Sequence, residues 1–249
     1  MAELMTNVIN RKERYLNRYA LYFDDPRVKE IRIQGIYMEI VLFGDKSDYM
    51  NKKRHEGSGV KSGYKSKTLK DYRPITKSQR DALGVIRQFA SAFVDGKVPR
   101  GKQNGLYIQG QIGTGKTYLT SVLANTIIDR SFDVLMQTSI ELSESMRKHE
   151  YHSDGIRNRY KDKCKSYDLL IIDDLGKDKA TEWSVAQLFD VIDDRVANNL
   201  PMIITSNHSM IDLKDRLTPR DGDDVLAESI VDRINEACKL VKIEGESVR

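Results

Sequence analysis

The sequence predicts an α/β fold: a parallel central sheet flanked by helices, preceded by a small N-terminal region. Three observations predict it. Short apolar runs suited to buried strands alternate with longer segments of helical periodicity. The segment YDLLIID contains an unbroken aliphatic run, which is typical of a strand covered on both faces of a parallel sheet. A glycine-rich turn joins the first of these strands to the helix that follows it.

The main domain is expected over residues 68–249. Its expected elements are, in chain order, the helix SQRDALGVIRQFASAFV, the strand GLYIQG, the helix KTYLTSVLANTIIDR, the strand FDVLMQT, the helix SIELSESMRKHE, the strand YDLLIID, the helix WSVAQLFDVIDDRVAN and the strand PMIITSN. Two further helical segments precede a last strand, KLVKIEG. In a doubly wound sheet of this kind, ligands bind at the carboxyl ends of the strands.

Residues 1–45 contain their own aromatic and aliphatic side chains, such as Tyr19 and Phe23. They are expected to form a small helical unit, which could end in a strand pair and which binds a partner protein. The alternative is a lid packed on the main domain.

The positive charge is concentrated between these two regions. The chain has a net charge of +4, whereas residues 46–73 alone carry nine Lys and Arg against three Asp and Glu. This stretch is rich in Gly and Ser and poor in aliphatics, so residues 46–67 are expected to form a basic flexible linker. The alternative function for such a charge run is contact with nucleic acid.

Cysteine content and hydropathy point to the cytoplasm. Two cysteines are too few for a zinc site or a disulfide framework, which fits a reducing compartment. The N-terminus has no apolar signal-peptide core, and no apolar run approaches the length needed to cross a membrane. We therefore expect no membrane partner.

The segment GQIGTGKT, Gly110 to Thr117, fits the spacing of a phosphate-binding loop. Its flanks are a strand and a helix, the context in which free backbone amides and the helix dipole bind an anion. Lys116 is expected to reach the β- and γ-phosphates of ATP, and the Thr117 hydroxyl to bind Mg²⁺. The expected nucleotide contacts are Gly110, Gln111, Ile112, Gly113, Thr114, Gly115, Lys116 and Thr117. The alternative is a simple glycine turn.

Polar residues end the two strands expected beside this loop. Asp173 is expected to bind Mg²⁺, and Asp174 to act as the general base that activates water. The alternative is that they cap a helix. Asn207 is expected to contact the γ-phosphate or the attacking water, although asparagine is also common in turns.

The motifs GQIGTGKT, LLIIDDLG, IITSN and IVDRI occur in an order and at spacings similar to those of the DnaC/DnaI-type replicative helicase loaders. Those loaders are AAA+ ATPases, and the ATP-binding partners of transposases share the same motifs. The resemblance extends over residues 68–249 and is specific in its combination of motifs.

The resemblance implies that Arg233 acts as an arginine finger on the ATP of a neighbouring copy, within an assembly that forms in the ATP state. A guanidinium in that position neutralises charge that develops on the γ-phosphoryl group. The alternative is a surface arginine paired with Asp232 or Glu236. The resemblance also implies a second phosphate-sensing arginine at Arg249.

Single-stranded DNA contacts are implied for four residues: Arg147, Lys148, Thr181 and Trp183. Basic residues for phosphate and an aromatic ring for base stacking are the requirements of single-strand binding. For Trp183 the alternative is an aromatic side chain in the core or at the start of a helix.

The resemblance implies an ATPase that loads a hexameric replicative helicase onto single-stranded DNA during primosome assembly in DNA replication, with hydrolysis stimulated by that DNA. One alternative is a transposase-assisting AAA+ ATPase that binds duplex DNA. Two others are a small-molecule kinase and an ATP-gated binding module that does not hydrolyse ATP.

Overall fold

The computed structural model describes residues 28–34, 37–42, 46–98, 103–151, 159–220 and 222–245. The chain divides into two compact units, Met1–Met50 and Asn51–Arg249. The expected functional division into residues 1–45, 46–67 and 68–249 stays a prediction.

The N-terminal unit contains a strand pair. Strand β1 (Val28–Gln34) runs antiparallel to strand β2 (Tyr37–Leu42). The register pairs Gln34 with Tyr37 and is shifted at one point near the start of β1. The strand pair considered for this region is therefore present, while the helical part expected before it lies outside the described residues.

The segment expected to be a flexible linker contains regular structure. Helix α1 spans Lys46–Gly57 and a 3-10 turn spans Ser62–Tyr64. Near the end of α1, Arg54 Nε lies 3.0 Å from Asp133 Oδ1, and His55 Nε2 lies 2.9 Å from Asp129 Oδ1. The ion pair of Arg54 and the hydrogen bond of His55 are long-range contacts that fix the end of the helix, and composition alone does not reveal them.

The residues after α1 complete an edge of the main sheet. The backbone amide of Met136 donates a hydrogen bond of 2.7 Å to the carbonyl oxygen of Ser58. Val60 is 3% exposed and belongs to the core. A stretch that is poor in aliphatic residues is thus held in place by main-chain pairing and one buried valine.

The second unit has the α/β architecture that the sequence predicts. Its further elements are α2 (Lys77–Val94), β3 (Gly105–Gly110), α3 (Lys116–Ile128), β4 (Val134–Thr138), α4 (Ser139–Tyr151), α5 (Arg159–Ser166), β5 (Leu169–Asp173), α6 (Glu182–Ala197), β6 (Met202–Ser206), α7 (Met210–Leu217), α8 (Val225–Ala237) and β7 (Cys238–Ile243). Helix α5, like helix α1 in the expected linker, is not predicted by the sequence pattern.

Five strands form one parallel sheet in the order β4-β5-β6-β3-β7. Side chains alternate between two buried clusters: Ile171 faces the cluster that contains residues of α2 and α3, and Leu170 faces the cluster with residues of α4 to α8. Because β3, β5 and β6 lie near the middle of the sheet, the residues that follow them converge at its carboxyl edge.

Among the described residues, none of the helices is long and apolar enough to cross a bilayer.

Candidate ATP-binding site

The loop between β3 and α3 can be built only with glycine at certain positions. Gly115, the residue that caps α3, has a φ of 92° in the left-handed region. A Cβ on Gly110 would lie 2.5 Å from the carbonyl oxygen of Ile243 and 2.9 Å from Thr114 Oγ1. The loop is therefore packed tightly against β7, and its glycines are required by this close approach.

Lys116 is held inside this loop. Its side chain is 5% exposed, and its Nζ donates to the carbonyl oxygens of Gly110 (2.7 Å) and Gln111 (2.9 Å) and to Asn207 Oδ1 (2.6 Å). Burial lowers the pKa of Lys116, while the nearby carboxylates of Asp173 and Asp174 act in the opposite direction. A buried cation within a ring of exchangeable acceptors fits a group that binds phosphate oxygens.

Asp173, the last residue of β5, is 1% exposed. Its Oδ2 accepts a hydrogen bond of 2.9 Å from the Thr117 hydroxyl, and its Oδ1 accepts one of 2.6 Å from the Thr205 hydroxyl. Burial raises the pKa of Asp173, and these two hydrogen bonds oppose the increase. A carboxylate whose ionised form is destabilised by burial fits a site in which a bound cation compensates the negative charge.

The pair of Thr117 and Asp173 has the ligand chemistry that Mg²⁺ prefers. Mg²⁺ is usually held by one or two protein oxygens together with phosphate oxygens and water, rather than by an all-protein cage. The described residues contain no cluster of three His, Cys, Asp or Glu side chains suited to a metal. The residues present fit a magnesium ion that arrives with a nucleotide.

Asp174 adopts a backbone conformation that is uncommon for a residue other than glycine, with a φ of 58°. Its amide donates a hydrogen bond of 2.9 Å to Thr205 Oγ1, and its carboxylate Oδ2 lies 3.2 Å from Lys177 Nζ. Thr205 therefore orients both aspartates. The sequence analysis did not identify Thr205, although a polar residue inside the apolar strand PMIITSN was a usable signal.

Two further residues support the site without having been expected to do so, one at the phosphate-binding loop and one at the segment after β5. Gln79 of α2 is 3% exposed, and its Nε2 donates a hydrogen bond of 3.1 Å to the carbonyl oxygen of Thr114. Its Oε1 accepts hydrogen bonds from the amides of Ile75 and Thr76 at the start of α2. Ser139, after β4, donates to Asp178 Oδ1 at 2.6 Å. The T-x-x-Q pattern of Thr76 to Gln79 is typical of the capping contact at the start of α2, whereas no sequence pattern indicates the contacts with Thr114 and Asp178.

An open cleft of about 990 Å³ adjoins the phosphate-binding loop. Its lining comprises Gln109, Gly110, Gln111, Asn207, Lys242, Ile243, Glu244 and Gly245. Asn207, the residue after β6, thus lies beside the loop and bonds Lys116, as the convergence of strand ends predicted.

Arg233 lies on α8 in an exposed position and takes part in two ion pairs. Its Nε is 2.8 Å from Asp193 Oδ1 on α6, and its Nη1 is 3.4 Å from Glu236 Oε2. The pairing with Glu236 was one of the alternatives stated for this residue. Asp193 was not considered, because the proximity of α6 and α8 follows from the tertiary fold.

The expected DNA contacts Arg147 and Trp183 lie together. The guanidinium carbon of Arg147 is 5.0 Å from the centroid of the Trp183 ring, within the range of a cation–π interaction. Arg147 is exposed, whereas Trp183 is partly buried against the core. Trp183 therefore has contacts that favour a DNA-binding role, through the neighbouring Arg147, and contacts that favour a role in the core.

Thr181 is the capping residue of α6, and its Oγ1 accepts a hydrogen bond of 3.1 Å from the amide of Ser184. It is exposed and has this structural role whether or not it meets DNA. The Lys148 side chain and Arg249 lie outside the described residues.

The fold and the site together define a P-loop ATP-binding protein with the AAA+ architecture. The chain belongs to the IstB-like ATP-binding protein family, whose sequence model matches residues 41–249.

Curated relatives include two helicase loaders and a protein of a mobile element. The replicative helicase loader DnaI of Bacillus subtilis is 23% identical over 233 residues, which are 87% of this chain and 74% of DnaI. The replicative helicase loader DnaC of Escherichia coli is 23% identical over 163 residues, 66% of this chain and 64% of DnaC. An insertion-sequence ATP-binding protein of Mycobacterium tuberculosis is 31% identical over 143 residues, 57% of this chain and 54% of that protein.

Solved structures show the same architecture. A crystal structure of DnaI superposes with a TM-score of 0.62 and 26% identity, covering 79% of this chain and all of that one. The AMPPCP-bound structure of DnaA from Aquifex aeolicus superposes with a TM-score of 0.58 and 21% identity, covering 76% of this chain and 52% of that one. The resemblance and the fold class stated from the sequence are thus confirmed.

Proposed function

We propose that this protein is an ATPase that loads a hexameric replicative helicase onto single-stranded DNA, in the cytoplasm, during replication initiation. The observation that carries the proposal is the joint placement of Lys116, Thr117, Asp173 and Asn207 at one edge of the sheet. The similarity to DnaI over 87% of this chain supports the loader role.

Lys116 and the loop amides would hold the phosphates of ATP. The three acceptors that now surround the ammonium group are exchanged in part for phosphate oxygens, which keeps the buried charge neutralised. Thr117 and Asp173 would hold Mg²⁺, which, when bound, neutralises charge on the phosphates and orients them.

Asp174 would accept the proton of the attacking water. Its amide is fixed by Thr205, so the backbone at this residue is held in one conformation. Its carboxylate is paired with Lys177, and this exposed ion pair is weak because solvent screens it. Asn207 would orient the water or the γ-phosphate from the neighbouring strand end.

Arg233 would act on the ATP of a neighbouring copy in an assembly that ATP favours. It stands on the surface of α8, 44% exposed, and its two partners are themselves exposed carboxylates. Such pairs contribute about 0–1 kcal/mol, so an incoming phosphate could replace them at small cost. Arg249 would be a second phosphate sensor from the same chain.

The surface around Trp183 would contact single-stranded DNA. Arg147 covers the ring and is exposed, so it could meet a phosphate while the ring, once uncovered, stacks on a base. Lys148 and Thr181 would add a phosphate contact and a hydrogen bond. Residues 1–45 would bind the helicase.

A second function is kept because specific observations favour it. The matching family is named for IstB-like proteins, and a relative at 31% identity belongs to an insertion sequence. A transposase-assisting ATPase would use the same ATP site but would bind duplex DNA and recruit a transposase.

Co-purification from cells combined with an ATP turnover assay tests these functions. The loader predicts that a tagged full-length chain recovers a replicative helicase and that added single-stranded DNA accelerates phosphate release. Recovery of a transposase, with stimulation by duplex DNA only, would replace the loader by the second function. Phosphate transfer to a small molecule would support a kinase, and absence of any turnover would support an ATP-gated binding module.

A further inference from the structure

The basic segment between α1 and α2 lies along helix α3 in a fixed conformation. Asn125 is 1% exposed, and its Nδ2 donates hydrogen bonds of 2.6 Å to the carbonyl oxygens of Tyr64 and Lys67. Leu69 and Tyr72 are 8% and 4% exposed and belong to the core. The segment is therefore attached through its main chain and its apolar side chains.

The attachment points follow α3 from its last turns back to its first residue. The backbone amide of Leu69 lies 3.5 Å from the hydroxyl oxygen of Thr126. The carbonyl oxygen of Asp71 accepts a hydrogen bond from the Tyr118 hydroxyl. The Tyr72 hydroxyl is 3.4 Å from the position of a Cβ on Gly115. At a rise of 1.5 Å per residue, the distance from residue 126 to residue 115 is about 16 Å.

This attachment leaves four cationic side chains in solvent, which we name the basic strip: Lys65, Lys67, Lys70 and Arg73. None of the four takes part in an ion pair within 4.0 Å among the described residues. The one carboxylate within the strip, Asp71, accepts hydrogen bonds from the amide and the hydroxyl of Thr68.

The chemistry of the strip favours a phosphate backbone over a protein or a membrane. The four large apolar side chains of residues 58–73 (Val60, Tyr64, Leu69 and Tyr72) are buried or partly buried. Protein interfaces need apolar or aromatic anchors, and membrane-surface segments need an apolar face. Among the described residues, the one exposed large apolar side chain next to the strip is Ile75, 69% exposed, two residues after Arg73. A fixed row of four exposed cations with a single apolar neighbour matches nucleic-acid phosphates, which are bound by charge without reading sequence.

We propose that the basic strip is a second DNA contact and that it binds the phosphate backbone of duplex DNA. Single-strand binding relies on exposed aromatic rings on which bases stack, and the strip offers none that is fully exposed. Over about 16 Å, one strand of a duplex carries about five phosphates, which is comparable to the four cations of the strip. The proposal rests on the proposed function in one respect: the duplex would be the DNA that flanks the single strand onto which the helicase is loaded.

The test compares three full-length variants by fluorescence anisotropy with a short duplex and with a single strand, at several salt concentrations. The strip variant combines Lys65→Gln, Lys67→Gln, Lys70→Gln and Arg73→Gln. Lys61 is left unchanged because its charge acts on Asp173 in the nucleotide site. The matched control neutralises four exposed cations elsewhere: Arg80, Arg87, Arg130 and Lys239. A third variant combines Arg147→Ala with Trp183→Ala.

We expect the strip variant to bind duplex DNA about tenfold or more weakly, and the negative slope of log affinity against log salt to become less steep by about 3.6. The matched control should bind like the wild type, and both should retain ATP binding and thermal stability. The variant of Arg147 and Trp183 should lose single-strand affinity and retain duplex affinity.

Three results would overturn the inference: no duplex binding by the wild type at low salt, equal duplex binding by the strip variant, or a loss confined to the single strand. Failure of the loader function appears separately, as failure to recover a helicase. If no helicase is recovered but the strip variant loses duplex binding, the assignment of the basic strip as a duplex-binding surface is still supported.

Discussion

The nucleotide site and the surface residues assigned to partners differ in what holds them. Lys116 and Asp173 are 5% and 1% exposed, and their polar atoms are bonded to residues from several strand ends. Arg233 and Arg147 are exposed, and their contacts are ion pairs and a ring face on the surface. Lys116 and Asp173 belong to a site that is formed within one chain. Arg233 and Arg147 have partners that a DNA strand or another subunit can replace.

The difference teaches which roles the geometry of one chain can support. A buried charge costs free energy and is retained where a ligand completes its environment, so Lys116 and Asp173 point to function by themselves. An exposed arginine costs little and has an adequate structural explanation in its ion pairs. Its proposed role therefore depends on experiments that include the partner.

Removal of the buried cation should have the largest effect. Lys116→Ala is expected to abolish ATP binding and hydrolysis, because truncation of one partner of a buried charge pair costs about 2–5 kcal/mol. Isothermal titration with ATP and Mg²⁺ measures the loss, and a thermal melt checks the fold. Asn207→Ala, which removes one of the three acceptors of Lys116, serves as the control and should retain binding. Unchanged affinity in Lys116→Ala would contradict the phosphate-binding role.

Asp174→Asn should leave ATP bound and slow its hydrolysis by about 10²–10⁴-fold, the usual contribution of a general base. The measurement is phosphate release at saturating ATP. Lys177→Gln is the matched control, since it removes the same ion pair and leaves the carboxylate in place. If both variants slow hydrolysis equally, Asp174 acts only through its pairing with Lys177.

Arg233→Ala should bind ATP normally and hydrolyse it about tenfold or more slowly, which is less than the about 10³–10⁵-fold effect of arginine fingers in GTPases. Asp193→Asn breaks the shorter ion pair of Arg233 and keeps the guanidinium, so it should retain hydrolysis. Assays with single-stranded DNA present allow the assembly to form.

Mixing tests whether Arg233 acts between copies. Arg233→Ala combined with Lys116→Ala should recover part of the activity, because a mixed interface can pair an intact loop with an intact arginine. Phosphate release that stays at the sum of the two separate mutants, at every mixing ratio, would exclude a finger acting on a neighbour.

The smallest expected effect concerns stability without nucleotide. Burial raises the pKa of Asp173 above its ordinary value of 3.8, so the ionised carboxylate destabilises the folded state. This penalty is absent below pH 3.8, grows as pH rises through the folded-state pKa and is complete above it. Asp173→Asn should therefore raise the melting temperature at neutral pH, by about 2–4 °C for each kcal/mol released.

The difference in melting temperature between Asp173→Asn and the wild type should vanish at low pH, where the side chain of residue 173 is neutral in both proteins. Melting curves from acidic to neutral pH, without Mg²⁺ or nucleotide, provide the measurement. A lower melting temperature for Asp173→Asn at neutral pH would show that its two hydrogen bonds outweigh the cost of burial.

The strands of the main sheet, the phosphate-binding loop and the fold class follow from the sequence alone. The pattern of GQIGTGKT between a strand and a helix is local, because backbone amides and a helix start lie within eight residues. Unbroken aliphatic runs such as Leu169–Ile172 indicate strands buried on both faces, which is a local property as well. Convergence of Asp173 and Asn207 followed from the geometry of parallel strands.

Only the tertiary structure decided which distant side chains meet. Thr205 orients two aspartates across strands, and Asp193 reaches Arg233 from another helix. The segment 46–67 has the composition of a linker, yet Asn125 and the edge of β4 hold its end in place. These contacts depend on long-range packing and on main-chain hydrogen bonds, which leave no periodic pattern in the sequence.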